Sequence, residues 1–145
     1  MSAGGARKLI ELVGAAGGVP VLFGNALPGV ATTHDLREHW LEAPFSGQDV
    51  SLRAQLFLFH ELVTSRRIAG AIGAKSGAMD GPALLGVPTL YLEYENIPNS
   101  KRMKKWLGVV PGFERLGCDR FLNEEGATLE PAEIAQIETW LAKLV

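Results

Sequence analysis

The stretch that most constrains this chain runs Ala71-Ile-Gly-Ala-Lys-Ser-Gly-Ala-Met-Asp-Gly-Pro-Ala-Leu-Leu-Gly-Val-Pro-Thr-Leu90. It reads as strand, tight turn, helix, tight turn and strand in immediate succession. The flanking runs, Ile68 to Ile72 and Val87 to Leu92, are apolar without alternation. Such strands are buried on both faces, which predicts a mainly parallel sheet with crossover helices. Val19 to Phe23 is a third run of this kind, bounded by glycines, with Pro20 at the strand's start. Gly86 is placed to close the short helix as a left-handed residue after its last turn.

Other segments supply the helices. Leu9, Leu12 and Val13 lie at helical spacing within 5–16, stopped by Gly17-Gly18. A loop covers 25–33, and a short helix is expected over 34–42, ended by Pro44. Leu52, Leu56, Phe59 and Val63 mark an amphipathic helix over 50–64, with Phe57, Leu58 and Leu62 on its other faces. A short basic helix is expected at about 100–107, and 109–121 reads as irregular or as a brief strand or two. Pro131 opens the last helix, with Ile134, Ile137, Leu141 and Leu144 on one face and Lys143 at its negative end. The expected class is α/β: a single Rossmann-like domain over 1–145, with helices on both faces of the sheet.

At 145 residues the chain suits one domain, and its 47% hydrophobic content supports a core and opposes disorder. The net charge of −2 opposes a global electrostatic grip on nucleic acid. A lone Cys118 excludes an intrachain disulfide and a cysteine-based zinc site, and it reads as a small buried residue. No apolar run approaches the ~20 residues of a membrane helix. Met1 to Leu9 lacks the apolar centre of a secretory signal, so a cytoplasmic location is expected.

Ligands of open parallel sheets bind outside the carboxyl ends of the strands. There Lys75, Ser76 and Gly77 form the lip of the short helix. Its free amides and dipole suit a phosphate or diphosphate. The plainer alternative is that Ser76 only caps the helix and Gly77 only relieves crowding. Gly24 and Asn25 follow the first strand, as a ligand-side loop or a simple turn. Glu93 and Glu95 share a face after the third strand, as acceptors for ribose hydroxyls, as an acid or base, or as a solvated strand end. Lys101, Arg102, Lys104 and Lys105 precede Trp106; they form a solvated face, or Lys101 or Arg102 reaches the same anion as Ser76. His34 and His39 are five apart, where two ligands on one helical face need four. His60 reads as a boundary or core residue, and nothing selects His34 or Asp35 as a base. Neither a Gly-x-Gly-x-x-Gly fingerprint, a phosphate loop nor a Gly-x-Ser-x-Gly elbow occurs.

Ser76-Gly77-Ala78-Met79-Asp80, followed by Ala83-Leu84-Leu85-Gly86-Val87-Pro88-Thr89, resembles the carboxy-terminal, nucleotide-sugar-binding half of GT-B glycosyltransferases. The spacing from Ser76 to Gly86 is similar to that of the heptosyltransferase-like branch. The resemblance covers about 68–92. It implies that the helix N-terminus faces the donor diphosphate, held by the Ser76-Gly77 backbone with Lys75 or Arg102. Asp80 or Glu95 would orient sugar or ribose, and the Gly24-Asn25 loop would lie beside donor or cleft. No metal and no cofactor other than the donor are implied. Two departures stand out. Gly81-Pro82 interrupts the helix, and Asp80 is offset from Gly86 differently from branches with Glu there. A GT-B enzyme also needs two such domains. The chain is therefore expected to be part of a larger protein, to act with an acceptor-binding subunit, or to have lost transfer activity. The competing expectations are a non-enzymatic interaction subunit, associating through the apolar faces of helices 50–64 and 131–144, and another small-molecule enzyme on the same architecture.

Overall fold

A computed structural model describes residues 1–24, 28–32, 34–35, 52–65, 67–74, 77–94, 103–123 and 127–144. The chain is α/β. Its elements are α1 (Ala3–Ala15), β1 (Val21–Leu22), β2 (His34–Asp35), α2 (Leu52–Thr64), β3 (Ala71–Ala74), α3 (Gly77–Leu84), β4 (Thr89–Glu93), β5 (Phe113–Gly117), α4 (Asp119–Asn123) and α5 (Pro131–Leu141).

Strand β4 is the middle of a three-stranded sheet of order β3-β4-β5, parallel throughout. All five of its residues are buried, so the unbroken apolar run is explained by cover on both faces. Leu90 and Leu92 point to one side and join Leu116 of β5, Leu9 and Leu12 of α1, Phe121 of α4, and Ile137, Trp140 and Leu141 of α5. Tyr91 points to the other side, among Ala83 of α3, Met103 and Phe113, with Met79, Trp106 and Val110 packed around them. Each fully buried large side chain of this kind is worth about 1.5–3 kcal/mol. Of the apolar stripe of α5, Ile137 and Leu141 are buried by the chain itself, and Ile134 and Leu144 are partly buried against the same core.

The β3-α3-β4 unit follows its expected outline, and its ends are set by specific contacts. The ladder opens where the Ala71 amide donates to the Pro88 carbonyl at 2.9 Å, so β3 starts later than its apolar run. Gly86, at φ +80°, closes α3 as expected. Its amide donates to Ala83 and that of Val87 to Pro82, at 3.1 and 3.0 Å, a Schellman pair.

Two expectations are corrected and one open reading is decided. Of the two readings of 109–121, the brief strand holds: residues 113–117 form a parallel strand. Phe113 fills one face and Leu116 the other, and the charged residues between them give no strand-like pattern. His34 and Asp35 form β2, paired in parallel with Val21 and Leu22, where a helix was expected to start. Among the described residues this pair is a separate two-stranded sheet. His60 is on the surface, neither at the boundary nor in the core, its side chain 58% exposed beside Glu61. Of the α2 stripe, Phe59 is buried, with its ring centroid 4.0 Å from that of Phe23. The remainder of the expected 34–42 helix lies outside the described residues.

Ser2 caps α1 by accepting from the Gly5 amide at 3.1 Å. Gly5 itself sits under Phe121, where an added Cβ would lie 2.7 Å from the ring. Gly14, on the same helix, has nothing within 4 Å of that position. Helical Gly→Ala ordinarily stabilises by about 0.5–1 kcal/mol. Gly14→Ala is expected to raise the thermal midpoint accordingly. Gly5→Ala is expected to lower it by a net ~1–2 kcal/mol, because the rigid, fully buried Phe121 ring must move. Thermal unfolding of the two variants beside the parent checks the opposite signs.

Candidate functional site

The carboxyl ends of β3 and β4 and the start of α3 meet on the Tyr91 side of the sheet. Only residues 75–76 separate Ala74 at the end of β3 from Gly77 at the start of α3. Gly73 is buried, and a Cβ there would lie 3.1 Å from the Met79 sulfur. Its lack of a side chain lets the first turn of α3 pack tightly against β3.

Two polar pairs lie along this side. Tyr91, wholly buried, donates its hydroxyl to Oδ1 of Asp80 in the first turn of α3. Glu93, the last residue of β4 and 2% exposed, accepts from Nε of Arg115 through Oε1. Arg115 stands opposite Tyr91 in register, so its guanidinium reaches along the sheet to Glu93, whose own partner position is Gly117. Burial pulls the Arg115 guanidinium below its ordinary value. Oε2 of Glu93 is buried and, among the described residues, has no hydrogen-bond partner. A buried acceptor in this state is uncommon and calls for a donor.

The four side chains present two carboxylates, a phenol and one guanidinium. This set accepts hydrogen bonds in excess, which suits hydroxyl groups. The amides at the start of α3 suit an anion, although Asp80 offsets part of their positive potential. A ligand carrying both hydroxyls and phosphate matches the two halves together.

Among the sequence candidates, Gly77 begins α3, Asp80 is engaged by Tyr91, and Gly24 follows β1 at φ +95°, a conformation that favours glycine. Asn25, Lys75, Ser76, Glu95 and Arg102 lie outside the described residues, as do Lys101 and His39. Of the readings open for Glu93, the solvated strand end is excluded: the side chain is buried and ion-paired with Arg115. Tyr91 and Arg115 were not singled out in the sequence. The available signal for Tyr91 was its spacing of two from Glu93; for Arg115 it was a charge inside an otherwise packable segment. His34 is exposed at the start of β2. Among the described residues, no group of three or more His, Cys, Asp or Glu is arranged to hold a metal ion, and no helix is long and apolar enough to cross a membrane.

Cys118 follows β5, and its amide donates to the Glu93 carbonyl at 3.0 Å. The thiol is buried and its pKa is pushed up to about 12, by desolvation first and by the charges of Glu133 and Asp119 after it.

No family model, curated protein or solved structure matches the chain.

Two outcomes follow from this geometry. Arg115→Met leaves the Glu93 carboxylate buried without its counter-charge and is expected to cost about 3 kcal/mol in urea unfolding. The double variant Arg115→Met with Glu93→Gln is expected to recover much of that loss. For Cys118, the native thiol is expected to resist alkylation at pH 8 and to react once urea unfolds the chain. Unfolding moves the thiol from about 12 towards its ordinary 9.0. The folded state then holds the proton more tightly, so stability is full below the unfolded value and falls as pH rises through this window. Urea midpoints against pH are expected to fall less steeply there in Cys118→Ala than in the parent.

Proposed function

We propose that the chain is a Rossmann-like nucleoside diphosphate sugar-binding domain, the donor half of a glycosyltransferase whose acceptor is presented by a second domain or subunit. The observation that carries this reading is the buried Oε2 of Glu93, unpartnered among the described residues, at the end of β4 on the carboxyl edge of a parallel sheet. That edge is where sheets of this kind take their ligands.

In this reading the α3 amides, with Lys75 or Arg102, hold the diphosphate. Glu93 accepts from a hydroxyl of the ribose or sugar, and Asp80 or Glu95 orients the same part of the donor. An acceptor hydroxyl attacks the anomeric carbon, the bond from that carbon to the diphosphate oxygen breaks, and the nucleoside diphosphate leaves, the hydroxyl proton ending on the released diphosphate or in solvent. Charge grows on the leaving oxygen as the bond breaks, where amides and a cation stabilise it most.

Isothermal titration with the uridine, guanosine, adenosine, cytidine and thymidine diphosphates and their sugar conjugates tests the reading. One nucleotide series is expected to bind. Glu93→Gln is expected to weaken that series about tenfold or more, as loss of a charge-assisted hydrogen bond does. Absence of heat at millimolar ligand, both for the chain alone and for the chain with its partner, would overturn it.

A second reading rests on Phe57, which is 54% exposed on α2. An interaction subunit would associate through that helix. A stable oligomer in sedimentation, indifferent to nucleotides and dispersed by Phe57→Glu, would favour it.

A further inference from the structure

We propose that the amino edge of the three-stranded sheet, opposite the candidate site, is an interfacial docking surface for an anionic lipid membrane. Two connections meet at that edge: the end of α3 leading into β4, and residues 103–112 leading into β5. They touch where Gly112 packs on Pro88 and the Thr89 amide donates to the Gly112 carbonyl at 2.9 Å. Three large aliphatic side chains stand out from these connections: Leu84 at 63% exposed, Leu107 at 45% and Val109 at 74%. Val109 is the most exposed large apolar side chain among the described residues.

The projecting turn is firmly held. Met103 is fully buried, and Trp106 packs edge-on against Phe113 with ring centroids 5.5 Å apart. The Val109 and Val110 amides both donate to the Trp106 carbonyl, at 3.0 and 2.9 Å, and Gly108 takes φ +73° to make the bend. Aliphatic tips thus face water on a rigid mount, so inserting them costs little further ordering.

Charge selects the occupant. Lys104 and Lys105 are exposed immediately before the tip, and among the described residues neither has an ion-pair partner. The chain as a whole carries −2, so this is a local basic patch on an acidic molecule. A few exposed aliphatics next to two exposed lysines suit the boundary between headgroups and acyl chains, where the aliphatic tips enter hydrocarbon and the lysines meet anionic headgroups. A protein partner would need a complementary pocket and a larger apolar area than this tip offers.

Co-sedimentation with vesicles of phosphatidylcholine, with and without phosphatidylglycerol, tests the proposal. Binding to the anionic vesicles alone is expected, falling with added salt. Leu107→Asp with Val109→Asp is expected to weaken it about tenfold or more, and Lys104→Glu with Lys105→Glu at least as much. Lys8→Glu, an exposed charge change on α1, is expected to leave it within about twofold. Circular dichroism checks that the variants fold. The proposal is overturned if anionic vesicles are not bound, if neutral vesicles are bound equally, if the aspartate variant binds like the parent, or if Lys8→Glu is as damaging as the tip lysines. Self-association through the tip, lost in the aspartate variant and without vesicle binding, also overturns it.

Discussion

Burial of β4 on both faces is the constraint from which the described architecture follows. A strand with Leu90 and Leu92 on one side and Tyr91 on the other must be covered twice. The first cover comes from α1, α4 and α5, the second from α3 and the segment after Met103. Once both covers are in place, any polar residue on β4 is dehydrated whatever its own preference. Tyr91 and Glu93 therefore need partners from neighbouring elements. Asp80 comes from the helix before β4 and Arg115 from the strand beyond it. The candidate site is thus a consequence of the same double burial that makes the core.

That origin explains what the sequence could show. The β3-α3-β4 unit was legible because its signals are local: unbroken apolar runs, a helix between them, and Gly86 where the helix must turn back. β5 was legible only as one of two readings of 109–121, because an edge position asks for only one apolar residue per face, Phe113 and Leu116, and leaves Glu114 and Arg115 to pair elsewhere. Glu114 meets Lys143 of the chain following α5 at 2.8 Å, a contact no spacing announces. His34 and Asp35 looked like the opening of a helix, and pairing with Val21 and Leu22 decided otherwise. Sequence left the burial of Glu93 undecided because its partner, Arg115, stands 22 positions away. Long-range pairing decided each miss, and single-sequence periodicity does not contain it.

The two polar pairs differ in a way that bears on function. The Tyr91 hydroxyl and Oδ1 of Asp80 satisfy one another. The Glu93 carboxylate is half satisfied: Oε1 has the guanidinium, and Oε2 has no partner among the described residues. Leaving a buried acceptor unmade costs about 1–3 kcal/mol, a large part of the margin by which a domain of this size is stable. Replacing the pair by apolar side chains of similar volume would remove that cost. A chain that keeps it holds, at the end of its most buried strand, an acceptor already dehydrated and fixed in direction. Such an acceptor binds a hydroxyl without first surrendering water, which is the condition for a hydrogen bond to contribute selectivity.

Parallel topology also separates the molecule's two chemistries. In a parallel sheet every strand starts at one edge and ends at the other, so connections entering strands and connections leaving them never mix. The leaving edge gathers Glu93 and the start of α3; the entering edge gathers Leu84, Leu107 and Val109 with Lys104 and Lys105. A surface seated on the entering edge would leave the opposite edge open to water. Small phosphorylated ligands could then arrive from solution while the chain is held at a lipid boundary. The two proposals share no side chain, and each stands on its own edge of the sheet.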